Sequence, residues 1–228
     1  MTAAGPVIGR AIARAQLEWA QIQLDGLGGK PQDPAAALAW YRSAARLGDE
    51  RAINMLGRAY ERGWGTRVDL QEAARCYERA AALGEPWALF NLADLTLGGR
   101  GRKADPVAAY ALYERAAAAG IAKAFNMMGL LRESGEGAPR DAALAKTLFR
   151  HAAEGGDCWG CFNYARRLAD DDGDIDGAEI WLRRGIELGF PDFWRVVGEA
   201  LAAHPVPRLA ELGRAASRRC ADSFQSSR

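Results

Sequence analysis

The motif most capable of chemistry is Cys158-Trp159-Gly160-Cys161, in which two residues separate two thiols. Such a pair can cycle between dithiol and disulfide, and a position at a helix start lowers the pKa of a thiol. His151 lies seven residues upstream and suggests a zinc site, but no fourth ligand accompanies it. Redox motifs of this kind belong to folds that contain strands, and no strand pattern precedes Cys158. We therefore expect structural thiols, with redox and metal functions as the alternatives.

An acidic motif follows at Asp172-Gly173-Asp174-Ile175-Asp176-Gly177 and matches the first half of a calcium-binding loop. The twelfth residue of such a loop is a glutamate that binds the ion with both oxygens, whereas this chain has Arg183 there. A cation in place of the main ligand argues against calcium. The motif instead predicts an acidic turn whose charges stay in water.

Catalytic signatures are missing from the sequence. It has 2 histidines, His151 and His204, and neither belongs to an acid–base cluster. The spacings S-x-x-K, G-x-S-x-G, H-E-x-x-H and G-x-x-x-x-G-K, which mark common hydrolases, metalloproteases and nucleotide-binding loops, do not occur. The sequence therefore predicts a protein that is not an enzyme, with no catalytic residue, no metal site and no cofactor.

The charge balance disfavours a nucleic-acid partner. Lys plus Arg (30) nearly equals Asp plus Glu (29), for a formal net charge of +1, whereas phosphate binding relies on a basic surplus. No apolar run approaches the ~20 residues that span a bilayer. Residues 1–19 are interrupted by Gly5, Pro6, Arg10 and Arg14, unlike a secretory signal, and the 4 cysteines are too irregular for a disulfide framework. We expect a cytoplasmic protein.

The elements that position these residues repeat along the chain. Gly48, Gly84, Gly120 and Gly156 lie 36 residues apart, each at the end of an alanine-rich stretch, and Gly189 follows after 33. Other columns keep the same register, among them Tyr41, Tyr77, Tyr113 and Phe149, and Ala52, Ala88, Ala124 and Gly160. Self-similarity at this period is typical of stacked helix pairs.

Each repeated position has a physical role. The aspartates at 33, 69, 105, 141 and 174 precede the second helix of each unit, where a carboxylate caps free backbone N–H groups. Pro34 and Pro106 follow two of them at the first helical position, where the missing N–H costs nothing. The terminal glycine can adopt the left-handed conformation that ends a helix. The pattern predicts two helices per unit.

Repeat two carries a family resemblance through a set of spaced residues. They are Ala52, Leu56, Gly57, Tyr60, Gly63, Gly65, Asp69, Tyr77, Ala80, Ala81 and Gly84. This pattern resembles the Sel-one-like repeat (SLR) family, a relative of the tetratricopeptide repeat. The resemblance implies an all-α fold, a right-handed α/α superhelix (solenoid) of about five helix-pair repeats, with a C-terminal helical cap.

The domain boundaries follow from the same register. We expect an N-terminal extension at residues 1–10 and five repeats at 11–189, divided into 11–48, 49–84, 85–120, 121–156 and 157–189. Residues 190–220 read as degenerate cap helices with a Pro205-Val206-Pro207 break, and residues 221–228 as a flexible tail. An atypical terminal unit is what a solenoid end requires.

The resemblance also implies that the first helix of each pair lines a concave groove. Positions 52, 53, 56, 57 and 60 form the buried stripe of repeat two, so 51, 54, 58 and 61 share the opposite face. At these positions, repeats with basic and polar side chains alternate with repeats that carry aromatic side chains. Exposed aromatic side chains often anchor an interface. The predicted partner-binding residues are Arg51, Asn54, Arg58, Trp87, Phe90, Lys123, Asn126, Trp159, Phe162 and Arg166.

Three functional hypotheses follow. The first is an adaptor or scaffold that binds a peptide segment or helix of another protein in its groove. The second is a structural subunit that docks on an enzyme or receptor through its outer helices or terminal cap. The third is a thiol or metal function at Cys158 and Cys161. We expect a monomer with a protein partner, no nucleic acid and no membrane span.

Overall fold

The computed structural model describes residues 4–29 and 31–225, and this part of the chain forms twelve α-helices and no β-strand. The first six helices are α1 (Ala4–Asp25), α2 (Pro34–Arg46), α3 (Glu50–Arg62), α4 (Leu70–Ala82), α5 (Pro86–Leu97) and α6 (Pro106–Ala118). The others are α7 (Ala122–Ser134), α8 (Ala142–Glu154), α9 (Cys158–Asp172), α10 (Ile175–Leu188), α11 (Pro191–Leu201) and α12 (Pro207–Gln225).

The helices divide between two compact units, Met1–Ala119 and Gly120–Arg228. In unit 1, α1 packs on α2, α3 on α4 and α5 on α6, and α2 and α4 each also contact the helix that follows. In unit 2, the pairs are α7 with α8, α9 with α10 and α11 with α12. The predicted all-α solenoid of stacked helix pairs is confirmed.

The predicted aspartate caps are present at the start of the second helices. Asp33, Asp69, Asp105, Asp141 and Asp174 each accept a hydrogen bond from the backbone N–H three residues on, at 2.9 Å. Each cap satisfies one of the N–H groups that a helix start leaves free. Asp49 and Asp157 cap the first helices α3 and α9 in the same way, at 2.9 and 2.7 Å. The column from Asp33 to Asp174 therefore marks where the second helix of each repeat begins.

The aromatic column forms the centre of each pair. Tyr41, Tyr77, Tyr113 and Phe149 are among the largest fully buried side chains. The Tyr77 ring lies against Gly57 of α3, where a Cβ atom would come within 2.6 Å of the ring, and Phe149 lies against Gly129 in the same way. The phenolic O–H groups of Tyr77 and Tyr113 donate to Glu61 (2.7 Å) and Asp94.

A glycine turn fixes the spacing between successive pairs. Gly65 has φ +66°, a left-handed conformation that glycine adopts without strain, and a Cβ atom there would overlap the Pro34 carbonyl at the start of α2. Gly101 has φ +71° and lies against the Leu70 carbonyl at the start of α4. The turn inside one pair thus packs on the second helix of the preceding pair.

The ends depart from the regular unit. Helix α1 begins at Ala4 and so includes most of the predicted extension at 1–10, of which residues 1–3 lie outside the described residues. In the short fifth repeat, Gly173 ends α9 in the left-handed conformation, and α10 starts two residues later. Helices α11 and α12 pack as a pair where the cap helices are expected, with Phe193 and Val197 buried. Helix α12 continues to Gln225, so residues 221–225 of the predicted flexible tail lie in this helix. Residues 226–228 of the predicted tail also lie outside the described residues.

Candidate functional site

In unit 1, three predicted partner-binding residues lie on α3. Arg51 is exposed in the first turn, with its guanidinium 3.8 Å from the Asp49 carboxylate. Asn54 is buried, and its side-chain oxygen accepts from the Asn91 amide at 2.9 Å. Arg58 is half-buried, with its guanidinium 5.2 Å from the centre of the Trp64 ring.

Two predicted aromatics lie on α5 in the same unit. Trp87 is 48% exposed, and its ring meets the Phe90 ring edge-on at 5.8 Å. Phe90 is only 3% exposed, because its ring also packs 5.5 Å from that of Tyr113 on α6. Trp87 is thus the large exposed apolar side chain of this helix.

In unit 2, the first helices carry the polar members of the set. Lys123 is exposed on α7, and the side-chain oxygen of buried Asn126 accepts from the Asn163 amide at 2.8 Å. Arg166 on α9 is half-buried and donates to both carboxylate oxygens of Glu133, at 2.9 and 2.7 Å. A two-pronged contact of this kind holds an arginine side chain in one orientation.

The aromatic members of unit 2 are both half-buried. The Trp159 ring meets Phe193 of α11 edge-on at 4.9 Å. Phe162 lines a cavity of about 200 Å³ between α9, α10 and the terminal pair. The cavity wall is mostly apolar, and its other lining residues are Ala165, Arg166, Ala169, Asp170, Leu182, Ala200, Leu201, His204 and Leu209.

The structure corrects the predicted orientation of one column. Asn54, Phe90, Asn126 and Phe162 were expected to face away from the neighbouring helix, but the first three are buried. The reason is that this column lies beside the next first helix, where Asn54 meets Asn91 and Asn126 meets Asn163. Within unit 1 the open surface of the first helices therefore passes through Arg51 and Trp87, and within unit 2 through Lys123 and half-buried Trp159.

Several site residues were missed by sequence reasoning, although the signal is visible. The dipeptide Asn-Met at 54–55 and 126–127 alternates with Phe-Asn at 90–91 and 162–163, a register of two repeats. That alternation places one asparagine of each pair on either side of a helix–helix contact. The roles of Asn91 and Asn163 follow from it. Glu133, which binds Arg166, follows the same register, because Glu61 lies at the equivalent position two repeats earlier.

Comparison with known proteins begins with the repeat itself. The family model described as Sel1 repeat matches residues 13–49, 51–85, 88–121 and 122–157. The chain belongs to the Sel1 repeat family. Proteins of this family generally mediate protein–protein interactions. The last matched segment ends at residue 157, so the rest of the short fifth repeat, residues 158–189, lies outside the matched segments.

Solved structures support the Sel1 fold. A Sel1 repeat protein from Oxalobacter formigenes is 24% identical, with a TM-score of 0.77 over 95% of this chain and 88% of that one. The protective antigen c5321 of uropathogenic Escherichia coli, with an SLR fold, is 22% identical (TM-score 0.67, 92% and 46%). The immunity protein Pa5087 of Pseudomonas aeruginosa is 15% identical (TM-score 0.63, 92% and 81%). No curated protein matches the sequence significantly.

The thiols of this Sel1 repeat protein are buried. Burial raises the pKa of Cys158 to about 11 and that of Cys161 to about 12, and the Cys161 Sγ lies 3.8 Å from the Ala153 carbonyl oxygen. Thiols with a raised pKa hold little of the reactive thiolate at neutral pH. Across residues 4–29 and 31–225, no group of three His, Cys, Asp or Glu side chains is arranged to hold a metal.

Each of three carboxylates in the acidic turn of the fifth repeat has its own partner. Asp172 pairs with Lys146, Asp174 caps α10, and Asp176 lies 2.8 Å from Arg208. These carboxylates point to three different partners instead of one shared centre.

In the described part of the chain, no helix is both long and apolar enough to cross a membrane.

Proposed function

We propose that this Sel1 repeat protein is a non-catalytic adaptor or scaffold in the cytoplasm. It binds a peptide or helix of a partner protein along the face that the first helices of its repeats present. The partner-binding residues are those of the predicted set that reach this face: Arg51, Arg58, Trp87, Lys123, Trp159, Phe162 and Arg166. The buried side chains of Asn54, Phe90 and Asn126 contact neighbouring helices and so hold the first helices that form this face in place.

The main support for the proposal is the cavity beside Phe162. Its wall is largely apolar, and charged or polar groups of Arg166, Asp170 and His204 stand among the lining residues. An apolar depression with a few polar groups is the usual form of a site that accepts a side chain. Its volume of about 200 Å³ suits one leucine- or phenylalanine-sized side chain. Burying such a group stabilises a complex by about 1.5–3 kcal/mol.

Trp87 supplies the matching feature of unit 1. Half of its surface is exposed, while the Phe90 ring holds it from one side. Tryptophan is enriched among the residues that dominate binding energy, because it offers a large contact area with few rotatable bonds to immobilise. Each unit thus offers one aromatic anchor point on a first helix.

Site-specific photo-crosslinking in cells that produce the protein tests this proposal. A photoreactive phenylalanine replaces Trp87, or Ala169 at the cavity beside Phe162. The matched controls on second helices are Trp40, which is 38% exposed on α2, and Ile180 on α10. The proposal expects one partner protein to be captured from Trp87 and Ala169 but not from Trp40 or Ile180. Capture from the control positions alone would refute it.

A second candidate is docking through α1, and one observation favours it. Ile8, Ile12 and Trp19 of α1 are all exposed, and their spacing of four and seven residues places them on one face of the helix. The solvent-facing side of a helix is normally polar. Crosslinking from Ile12 but not from Trp87 would favour this candidate over binding to the first-helix face.

A further inference from the structure

Helix α1 has a second apolar face besides the one that packs within unit 1. Its inner face packs on α2 and α3, and the residues of that face are Ala13, Leu17, Ala20 and Leu24. The outer face lies on the other side of the helix, and we call its residues the outer stripe: Ile8, Ile12, Ala15, Trp19 and Ile22. A helix that packs on one side only normally has polar residues on the other, so the outer stripe indicates a second contact.

The outer stripe is open along most of its length. Ile8 is 58% exposed, and Ile12 and Trp19 are each 46% exposed. Ala15 lies between them and is also exposed, whereas Ile22 is half-buried. A row of large exposed apolar side chains on one helix is typical of an interaction surface.

The spacing within the outer stripe is that of a coiled-coil seam. Its residues follow one another at steps of four, three, four and three, the alternation with which two helices pack side by side. At a rise of 1.5 Å per residue, the seam from Ile8 to Ile22 is about 21 Å long. The outer stripe therefore fits another helix that carries a similar row of apolar side chains.

The next first helix shows how this surface is used inside the solenoid. Gly26 follows α1 with φ +70° and Gly63 follows α3 with φ +73°, so Trp19 of α1 corresponds to Leu56 of α3. Leu56 is half-buried and packs on the preceding pair, against the cluster that contains Tyr41 of α2. Among the described residues no helix precedes α1, and the equivalent surface is exposed instead.

The charges of α1 select a second copy of the same helix. Arg10 and Arg14 lie in its first part, and Glu18 and Asp25 lie in its second part. All four positions fall on one side of the outer stripe, within about 80° of one another around the helix axis. In an antiparallel pair of identical helices, this side of one copy faces the same side of the other in reverse order. The arginines of each copy then lie opposite the carboxylates of the other copy.

Other arrangements would use these charges less well. A parallel pair would place the charged side of each helix beside the uncharged side of the other. A basic partner protein would meet Arg10 and Arg14 as like charges, and an acidic partner would meet Glu18 and Asp25 in the same way. An antiparallel second copy is the occupant that matches both halves of the helix.

The order of these charges is also unfavourable within a single helix. A helix dipole favours basic residues near the C-terminal end, but α1 has none in its last turn and ends on Asp25. Arg14 and Glu18 lie 3.6 Å apart with side chains 72% and 69% exposed, so this pair contributes little to stability. Arginines from an antiparallel copy would offset the negative charge at the C-terminal end of α1.

We propose that two copies of this chain pair through α1, with their outer stripes in antiparallel contact about a two-fold axis. Such a contact uses the same surface on both copies, so it closes at two chains. The contact area of one helix pair is small, and we therefore expect association in roughly the micromolar range. This inference goes beyond the proposed function, because the face that carries Arg51 and Trp87 takes no part in the contact.

Sedimentation equilibrium of the full chain, from about 1 to 200 µM, measures the association. The proposal expects a monomer–dimer equilibrium whose upper limit is twice the mass of the chain. Ile12→Glu changes an exposed side chain, and it should weaken dimerisation at least about tenfold, because it places a charge in the apolar contact. The matched control Ile180→Glu changes an isoleucine of α10 that is 65% exposed, and it should leave dimerisation unchanged. A monomer at the highest concentration, or growth beyond the dimer, would overturn the proposal.

Two charge variants test the pairing of opposite charges. Arg10→Glu with Arg14→Glu makes the charges of α1 entirely acidic, and Glu18→Arg with Asp25→Arg makes them entirely basic. Each variant alone should be monomeric, because like charges then face each other, and an equimolar mixture should form a heterodimer. Circular dichroism checks that both variants are folded. Self-association of both folded variants with the affinity of the unmodified chain would refute the antiparallel arrangement.

Photo-crosslinking of the purified chain gives the orientation of the two helices. A photoreactive phenylalanine in place of Ile8 should attach to α1 of a second copy, between Glu18 and Asp25. Mixing isotope-labelled with unlabelled chains identifies the crosslinks that join two copies. Attachment to the first part of α1 would mean a parallel pair, and attachment to α12 would mean end-to-end stacking. Either result would overturn the proposal.

The outcome is separable from that of the proposed function. Ile12→Glu should abolish the dimer while the crosslink from Trp87 to the partner protein persists. If the dimer forms but nothing is captured from Trp87 or Ala169, then the pairing through α1 is correct and binding to the first-helix face is wrong. In cells, capture of a different protein but not of this chain from Ile12 would replace the dimer with docking of a partner on α1.

Discussion

The side-chain amide of Asn163 on α9 donates to the side-chain oxygen of Asn126 on α7 at 2.8 Å, and both residues are buried. The same relationship joins Asn91 and Asn54 in unit 1, at 2.9 Å. A polar pair in an otherwise apolar contact has a definite geometry, since each amide must find its partner. The pair therefore fixes the register between one first helix and the next.

Removing both members of the pair should cost less than the sum of the two single removals. Asn126→Leu or Asn163→Leu leaves a buried amide without a partner, which costs about 1–3 kcal/mol of unfolding free energy. The double variant replaces both polar groups with apolar ones and should lose less than the sum. Urea unfolding of the four proteins in a double-mutant cycle measures the difference. Strictly additive losses of unfolding free energy would show that the two side chains are not energetically coupled.

The cap Asp157 predicts a pH dependence. Burial raises its pKa above the ordinary 3.8, although its hydrogen bond from the Gly160 N–H and the Lys123 charge oppose the shift. The folded protein therefore holds the proton more tightly than the unfolded chain, and the contribution of this group to stability falls as pH rises from about 4. Asparagine caps a helix about as well as aspartate without the charge.

Asp157→Asn should consequently raise the unfolding free energy at pH 7 and change it little near pH 3.5. Asp157→Ala removes the cap itself and should cost about 1 kcal/mol near pH 3.5 and less at pH 7, where the charged Asp157 contributes less to stability. Thermal unfolding at a series of pH values distinguishes the two effects. Equal destabilisation by both variants at pH 7 would mean that the charged form of the cap is needed.

Two glycines test the packing of the aromatic column. A Cβ atom on Gly57 would come within 2.6 Å of the Tyr77 ring, so Gly57→Ala should destabilise the protein by about 1–3 kcal/mol. Gly9 on α1 has nothing within 4 Å of an added Cβ, and Gly9→Ala should stabilise by about 0.5–1 kcal/mol through helix propensity. Thermal denaturation followed by circular dichroism compares them. A neutral Gly57→Ala would show that the ring shifts freely.

The buried thiols predict low reactivity. Burial raises the pKa of Cys76 and Cys158 to about 11 and that of Cys161 to about 12, so the thiolate is scarce at pH 8. Iodoacetamide should label these three residues at least tenfold more slowly in the native protein than in urea, as read by peptide mass spectrometry. Cys158→Ala with Cys161→Ala should keep the crosslink from Trp87. Rapid native labelling of Cys161 would revive the thiol hypothesis.

The sequence predicts the repeats better than it predicts the surface. The caps Asp33 to Asp141 and the column Tyr41 to Phe149 have one local role in each of the first four repeats, so a 36-residue register is sufficient to find them. The burial of Asn54 depends on its contact with Asn91 in another helix. Helical geometry within α3 alone does not include that contact and therefore assigns Asn54 to an open face. The cavity beside Phe162 needs the terminal pair, through Leu201 and Leu209, whose sequence departs from the repeat.

The two phenylalanines of the predicted partner-binding set, Phe90 and Phe162, should respond differently to substitution. Phe90 is 3% exposed between Trp87 and Tyr113, so Phe90→Ala opens a space in the core and should cost about 3–5 kcal/mol. Phe162 is half-buried at an open cavity, and Phe162→Ala should cost distinctly less. Urea unfolding compares their stabilities. Crosslinking from Ala169 reports on binding, and it should be lost in the well-folded Phe162→Ala protein. If Phe162→Ala keeps that crosslink, Phe162 does not anchor the partner.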